Sequence, residues 1–225
     1  MAKLEWDKTG ERFYESGTKQ GVLYPQKTTG DYDNGVAWNG LTGVTESPSG
    51  ADPTDMYADD RKYASIRSAE TFGCTIDAYT YPDEFALCDG SAELKPGVMI
   101  GQQARRAFGF SYVTQISNDV NLEAYKIHLV YGATASPSEK GYTTINDSPD
   151  AITFSWTVET TPVNVSGFKP TATLIVDSRK VTAAALKALE DVLYGTETAE
   201  PRLPLPDEVA QIIGDNEIGT EEVAG

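Results

Sequence analysis

The sequence is short of several residue types, and each shortage limits what the chain can do. It has 18 lysines and arginines against 34 aspartates and glutamates, a net charge of −16, one histidine and two cysteines. Tight binding of nucleic acid needs clustered basic side chains that displace phosphate counterions, so the charge argues against a nucleic-acid-binding protein. A like-charged wall can still keep DNA off a surface, which leaves a role near DNA open.

Long apolar runs are also missing. No stretch reaches the about 20 apolar residues that cross a bilayer, which predicts no transmembrane helix. The first residues, MAKLEWDKTGERFY, have neither an apolar core nor a cleavage site, so we expect no signal peptide and synthesis in a cytoplasm. In that reducing compartment Cys74 and Cys88 are expected to be free thiols.

The patterns of common catalytic and cofactor sites are absent. His128 lies inside a strand pattern and is expected to be structural, and the charge of Asp89 beside Cys88 would raise a thiol pKa that catalysis needs lowered. Glycine-rich phosphate loops do not occur. Residues 31–35 resemble a calcium loop, but the glycine comes one position early and Thr42 stands where a glutamate is needed. We predict no catalytic residue, no cofactor and no metal, and hence no enzyme.

Alternation of apolar and polar residues is the main structural signal. In residues 72–79 the apolar side chains alternate with Thr75, Asp77 and Tyr79, which predicts a strand with one buried face and one wet, acidic face. The same period predicts a long hairpin over 108–131 and a strand over 152–158 with Thr and Ser on its wet side. Two more strands are predicted, around Trp38 and over 171–176.

The remaining segments are predicted to be one helix and several irregular stretches. Thr182 is the expected N-cap of the helix and Gly195 its C-terminal cap. Residues 1–29 are interpreted as an N-terminal arm, and 46–60 and 133–150 as long polar loops. Residues 207–225 carry six acids and no base, which predicts a flexible or partner-captured tail after a single domain over 1–206.

Many blocks of the chain, in the same order, resemble the major tail proteins of bacteriophages. These are the tail-tube subunits of phages with long non-contractile tails that infect Gram-positive bacteria. The blocks include GVAWNGLTGVTESPSGADPT, SAETFGCTIDAYTYPDEF, CDGSAELKPGVMIGQQ and AITFSWTVETTPV. The resemblance covers about residues 1–209, and none of its blocks is catalytic or ligand-specific.

The resemblance implies a mainly β fold, a β-sandwich or small barrel of the phage tail-tube type with one flanking helix and long assembly loops. Six subunits would form a ring, and rings would stack into a tube whose inner wall is one continuous β-barrel. DNA would pass through it without specific binding. The implied partners are the tape-measure, tail terminator and tail-tip proteins, and the implied location is the virion tail, assembled in the host bacterial cytoplasm.

Within that expectation, particular residues are given roles. Asp77 and Glu123 are predicted to face the lumen, because each belongs to or borders a polar strand face. Ring-to-ring contacts are predicted for the arm 1–29, for the loops 46–60 and 133–150, and for the proline-rich segment PRLPLPDE after the helix, since such segments often order on assembly.

Two other functions remain open. The first is a carbohydrate- or surface-binding β-sandwich module of a virion, which exposed Trp and Tyr side chains in a groove would favour. Trp38 and Trp156 instead lie in strand patterns typical of a core. The second is a glycan-cleaving enzyme, because any acidic β-sandwich offers pairs of carboxylates.

Overall fold

The computed structural model describes residues 4–50, 52–121, 123–145 and 150–217. The chain is mainly β, with 43% strand and 14% helix. Its elements in chain order are β1 (Tyr14–Pro25), β2 (Val36–Trp38), β3 (Leu41–Glu46), β4 (Ser49–Gly50), β5 (Pro53–Ala58), β6 (Arg61–Arg67), β7 (Glu70–Thr71), β8 (Gly73–Ala78), the 3₁₀ helix η1 (Asp83–Leu87), β9 (Ala92–Lys95), β10 (Val98–Ile100), β11 (Phe108–Ser117), β12 (Glu123–Ala135), β13 (Phe154–Thr160), β14 (Thr173–Asp177), α1 (Ala183–Tyr194) and α2 (Pro206–Glu217).

One eight-stranded antiparallel sheet forms the body of the protein. Its strands follow the order β2-β1-β11-β12-β13-β8-β3, and β14 pairs with β12 beside this path. The end strands β2 and β3 are joined by only two residues, so the sheet curls back on itself. No ladder among the described residues joins β3 to β1 or β2, so the sheet folds into a sandwich and does not close as a barrel.

The sheet divides into two halves at Gly132, near the C-terminal end of β12. Before it, residues Lys126 to Val130 pair with β14, and after it, residues Ala133 to Ala135 pair with β13. The ladder with β11 is shifted by one residue at this point, and Gly132 has a φ of 57°. A bulge with a left-handed glycine bends a strand and reverses which side chains lie on each face. One strand therefore serves both halves of the sandwich.

The space between the two halves holds an aromatic core. Trp156 is fully buried and makes edge contacts with Trp38 and with Phe85 of η1, at ring-centroid distances of 5.6 and 5.1 Å. The indole N–H of Trp38 donates to the carbonyl of Thr80 at 2.9 Å, so its polar atom is satisfied inside the core. The predicted strands and the interior position of both tryptophans are confirmed.

A second core lies on the other side of β1, β11, β12 and β14, beneath the helices. The α1 residues Leu186, Leu189 and Leu193 are buried against it. Thr182 accepts a hydrogen bond from the Ala185 amide at 3.2 Å, and Gly195 follows the helix with a φ of 79°. Both predicted caps of this helix are confirmed.

The prediction of a single helix followed by an acidic tail is wrong as far as Glu217. Residues 206–217 form α2, whose Val209 is buried and whose Ile212 and Ile213 pack on the second core beside α1. An ion pair between Arg202 and Glu208 fastens its first turn. Three apolar side chains are enough to stabilise α2, because α1 and the sheet provide an apolar surface on which they pack. Residues 218–225 lie outside the described residues.

Two segments predicted to be irregular contain strands. Residues 14–25, most of which were assigned to an N-terminal arm, form β1, which lies within the sheet between β2 and β11. Residues 46–60, assigned to a loop, contain β4 and β5, and β5 pairs with β6 in a separate hairpin. Of the predicted loop 133–150, residues 133–135 form the end of β12, residues 136–145 and 150 form no helix or strand, and 146–149 lie outside the described residues.

Candidate functional site

The outer surface of one half of the sandwich is the most distinctive polar feature of the molecule. In β13 the inward residues Phe154, Trp156 and Val158 alternate with outward polar residues, as a strand with one dry face requires. The neighbouring strands β8 and β3 alternate in the same way. Their outward residues, together with Thr134 of β12, form what we call the hydroxyl face: Thr45, Thr75, Asp77, Thr134, Ser155, Thr157 and Glu159.

The register aligns these side chains in rows across the strands. Thr75 lies opposite Thr157 on one side and Thr45 on the other, and the next row brings Asp77 opposite Ser155. Glu159 pairs with Thr134 of β12. The face therefore carries five hydroxyls, two carboxylates and no basic side chain, so a phosphate approaching it would meet no counterion.

The two residues predicted to face a lumen are separated by the structure. Asp77 lies on the hydroxyl face, half-exposed between β13 and β3. Glu123 is exposed at the start of β12, ten residues from the part of that strand that pairs with β13, or about 33 Å along the strand. It shares its face of β12 with Tyr125 and Ile127, which lie under the helices. The two acids are not part of one surface.

Sequence reasoning missed most of the hydroxyl face because its members lie far apart in the chain. The polar sides of β8 and β13 were visible as separate patterns, whereas the rows exist only once β13 pairs with β8 and β8 with β3. The usable signal is the repeated Thr and Ser on the wet side of Trp156. No signal in the sequence indicates which strands are neighbours.

A second surface is the projecting hairpin of β5 and β6. Every residue of the two strands is exposed except Ala64, and Met56 and Ile66 are 46% and 60% exposed. The register places Met56 opposite Ala64 and Thr54 opposite Ile66, so one side of the hairpin is apolar. On the other side Lys62 pairs with Asp55 at 2.6 Å. Isolated two-stranded hairpins are marginally stable in water, so this apolar side is suited to contact with a partner.

Polar side chains from both halves of the sandwich meet around the buried rings of Tyr112 and His128. Glu46 of β3 accepts a hydrogen bond from the Tyr112 hydroxyl of β11 at 2.7 Å, which ties the two halves together. The His128 ring stacks on Tyr112 with centroids 4.5 Å apart, and its Nε2 lies 2.9 Å from the Thr114 hydroxyl. Its Nδ1 is 3.5 Å from the Glu46 carboxylate. The position fits the structural role predicted for this histidine.

Burial lowers the pKa of His128 from the ordinary 6.5, because desolvation opposes the charged ring more than Glu46 and Glu15 favour it; Lys126 also opposes it. The unfolded chain then binds more protons below pH 6.5, so the free energy of unfolding should fall as the pH drops from there towards the folded-state pKa. In His128→Gln this part of the decline should disappear. Urea titrations between pH 7.5 and 5.5 measure it, and parallel profiles for both proteins would contradict the assignment.

The other candidate residues for chemistry are occupied or poorly placed. Burial raises the pKa of both thiols, Cys74 and Cys88, to about 12, so neither is an activated nucleophile. Asp33, in the calcium-like segment, pairs with Arg106 and Lys27. Within the described ranges no group of three or more His, Cys, Asp or Glu side chains could hold a metal ion. No helix in that part of the chain is long and apolar enough to cross a bilayer.

Comparison with known proteins adds little to this geometry. No family model matches the chain, and no curated protein matches it in sequence. Among solved structures it is similar to a chain of the anti-feeding prophage (AFP) baseplate, determined by cryo-EM with 6-fold symmetrisation. The two share 7% identity, the alignment covers 77% of this chain and 97% of the other, and the TM-score is 0.36. A likeness at these values does not indicate a function.

Proposed function

We propose that this chain is a structural virion protein, the subunit of a phage tail tube. Six copies form a ring, rings stack into a tube, and viral DNA passes through the lumen into the host. The observation that carries the proposal is the hydroxyl face, an exposed sheet surface with acids and hydroxyls and no base. The resemblance of the sequence blocks to major tail proteins supports it.

The proposal places the hydroxyl face on the lumen wall. Four strands contribute to this face in each copy, β12, β13, β8 and β3, so six copies supply 24 strands. At about 4.8 Å per strand the wall has a circumference of about 115 Å and a diameter of about 37 Å, before strand tilt widens it. A duplex fits through such a bore. Because the wall has no basic side chains, it offers the DNA phosphates no counterion to bind. The repulsion by the acidic side chains is screened within about 8 Å of the wall at physiological salt, so it does not keep DNA out of the bore.

In this arrangement the partners are those that the resemblance implies. Neighbouring subunits meet through head-to-tail contacts, which close into a ring when the rotation between copies is right. The tape-measure protein occupies the lumen before DNA, and the tail terminator and tail-tip proteins cap the two ends. Assembly takes place in the host bacterial cytoplasm, and the product is part of the virion tail.

Negative-stain electron microscopy of the concentrated protein tests the proposal. Rings or tubes with an open bore are the expected result. The competing function, a carbohydrate- or surface-binding virion module, predicts dispersed monomers that bind glycan. Both tryptophans of the strands, Trp38 and Trp156, are buried and cannot stack on a sugar. If the protein stays monomeric at every concentration and binds glycans on an array, the tail-tube proposal is wrong and the glycan-binding function is supported.

Ring stacking is proposed to use the β5–β6 hairpin. Met56→Ser with Ile66→Ser removes the two large apolar side chains of its exposed face without altering the fold. Because burying each side chain at an interface is worth at least about 1.5 kcal/mol, losing both costs about 3 kcal/mol, and the concentration at which tubes appear should rise about 100-fold or more. Turbidity and microscopy measure this threshold, and circular dichroism confirms an unchanged monomer.

The matched control carries two other exposed apolar residues changed to serine, Val120→Ser and Phe168→Ser, which lie outside the hairpin. It should assemble like the wild type. Tubes from the hairpin variant at the wild-type threshold would show that the hairpin makes no ring contact.

A further inference from the structure

The apolar side of the β5–β6 hairpin carries a single charge, on Arg61. Alternate residues of a strand share a side, and the register puts six residues on this one: Thr54, Met56, Ala58, Arg61, Ala64 and Ile66. No ion pair joins Arg61 to another described residue. Within the described ranges the hairpin is a separate two-stranded sheet. Its apolar side is therefore an unpartnered surface with one cation near the turn.

A groove of opposite charge lies between η1 and the hairpin of β9 and β10, and we call it the η1 groove. Its volume is about 630 Å³, and Leu87 and Met99, which are 43% and 51% exposed, give it apolar walls. The η1 helix is held from behind, because Phe85 is fully buried in the aromatic core. The groove is therefore a preformed surface with room for several side chains.

Most acids of the η1 groove have no basic partner. Four carboxylates line it, and of these the buried Asp89 is paired with Arg105 at 3.4 Å and with Lys140. Asp83 and Glu84, both exposed, form no ion pair with any residue in the described part of the chain. The groove thus presents unpaired negative charge beside apolar side chains, which complements an apolar surface with one arginine.

The charged and apolar positions have nearly the same spacing on the two surfaces. Residues three apart in a 3₁₀ helix lie on one side, about 6 Å apart along the axis, and Glu84 and Leu87 of η1 have this relation. On the hairpin, the row that contains Arg61 lies two residues from the row that contains Met56, or about 7 Å. When Arg61 pairs with Glu84, Met56 can therefore contact Leu87.

We propose that the apolar side of the β5–β6 hairpin of one copy docks in the η1 groove of a copy in the next ring. The inference rests on the proposed stacking of rings through the hairpin, and it adds the surface that receives the hairpin. Both surfaces are exposed in the single chain, so the contact joins two chains. Because the surfaces differ, the contact is head-to-tail and leaves each copy a free hairpin or groove for a further ring.

Disulfide cross-linking tests the contact directly. A disulfide needs Cα atoms within about 7 Å, so Met56→Cys chains mixed with Leu87→Cys chains of a different mass should cross-link on mild oxidation. Cys74 and Cys88 are buried and do not compete. In the matched control Val120→Cys, at an exposed apolar residue outside the groove, replaces Leu87→Cys, and this mixture should give far less cross-linked product.

Charge reversal tests the pairing of Arg61 with Glu84. Arg61→Glu or Glu84→Arg alone turns attraction into repulsion and should raise the concentration at which tubes appear about two- to fivefold, the range that exposed ion pairs support. A chain with both changes restores the pair in reverse and should return to the wild-type threshold. Arg67→Glu and Glu200→Arg, at exposed residues outside both surfaces, are the matched charge controls and should leave the threshold unchanged.

The outcomes distinguish this contact from the tube itself. If wild-type chains form tubes but the cross-link or the restoration fails, the inference is wrong and the tube proposal is unaffected. Cross-links among Met56→Cys chains alone, in place of the mixed product, would mean that hairpins meet each other, which also overturns the inference. If the mixed product forms while wild-type chains never make rings or tubes, the contact is supported and the tail-tube proposal is wrong.

Discussion

Lysines placed at Thr45 and Thr157 are expected to make assembled tubes retain DNA that wild-type tubes release. The two threonines flank Thr75 on the hydroxyl face and are exposed, so they can be exchanged without disturbing the core. In a six-membered ring the change adds twelve positive charges to the bore. Each phosphate that a lysine neutralises releases counterions, and several such contacts produce tight, salt-dependent binding.

The measurement is co-sedimentation of short duplex DNA with tubes at several salt concentrations. Binding to the variant should weaken by about 10³-fold or more between 50 and 200 mM salt, as expected when six or more phosphates are contacted. The matched control puts lysine at Thr9 and Thr198, two exposed threonines outside the hydroxyl face, and adds the same charge. Variant tubes that are normal by microscopy but hold no more DNA than the control would show that the hydroxyl face does not line the bore.

Gly132→Ala is expected to have the largest effect on stability of any small substitution in the sheet. Its backbone is left-handed, which costs about 1–2 kcal/mol for a residue with a Cβ. A Cβ here would also lie 2.3 Å from the carbonyl oxygen of Thr161, whose amide is hydrogen-bonded to the Gly132 carbonyl. Backbone cannot move aside as a side chain can, and overpacking adds about 1–3 kcal/mol. The sum is about 2–5 kcal/mol.

Two other glycines separate these contributions. Gly167 has a φ of 77° and nothing within 4 Å of its Cβ position, so Gly167→Ala should show the conformational cost alone. Gly101 has open space and no positive φ, and Gly101→Ala should change the free energy of unfolding by less than about 0.5 kcal/mol. Urea unfolding of the three variants gives the series. Equal losses in the free energy of unfolding for Gly132→Ala and Gly167→Ala would mean that the backbone around Gly132 moves to make room for the Cβ.

The strands and the first helix were predictable because their signals are local. The alternation around Ile76 and Trp156, the cap at Thr182 and the stop at Gly195 depend on neighbours within a few residues. The second helix was not predictable from the sequence, because its apolar face is short and stabilises a helix only when it packs against α1. The β1 strand was hidden for a related reason: residues 14 to 20 are polar and mostly exposed, and their pairing with β11 supplies what the sequence pattern does not.

The sequence by itself determined the composition of this protein's surfaces: a large excess of acid, few basic residues, and strands whose wet sides carry hydroxyls. Those properties depend on composition and on the local pattern of residues, so they do not depend on which strands are paired. Only the tertiary structure decided which wet sides form one continuous face, where the sheet divides, and that Asp77 and Glu123 lie on separate surfaces. Strand pairing joins residues that are far apart in the chain: Thr75 pairs with Thr45, 30 positions before it, and with Thr157, 82 positions after it. A period-two pattern contains no information about which strand is its partner.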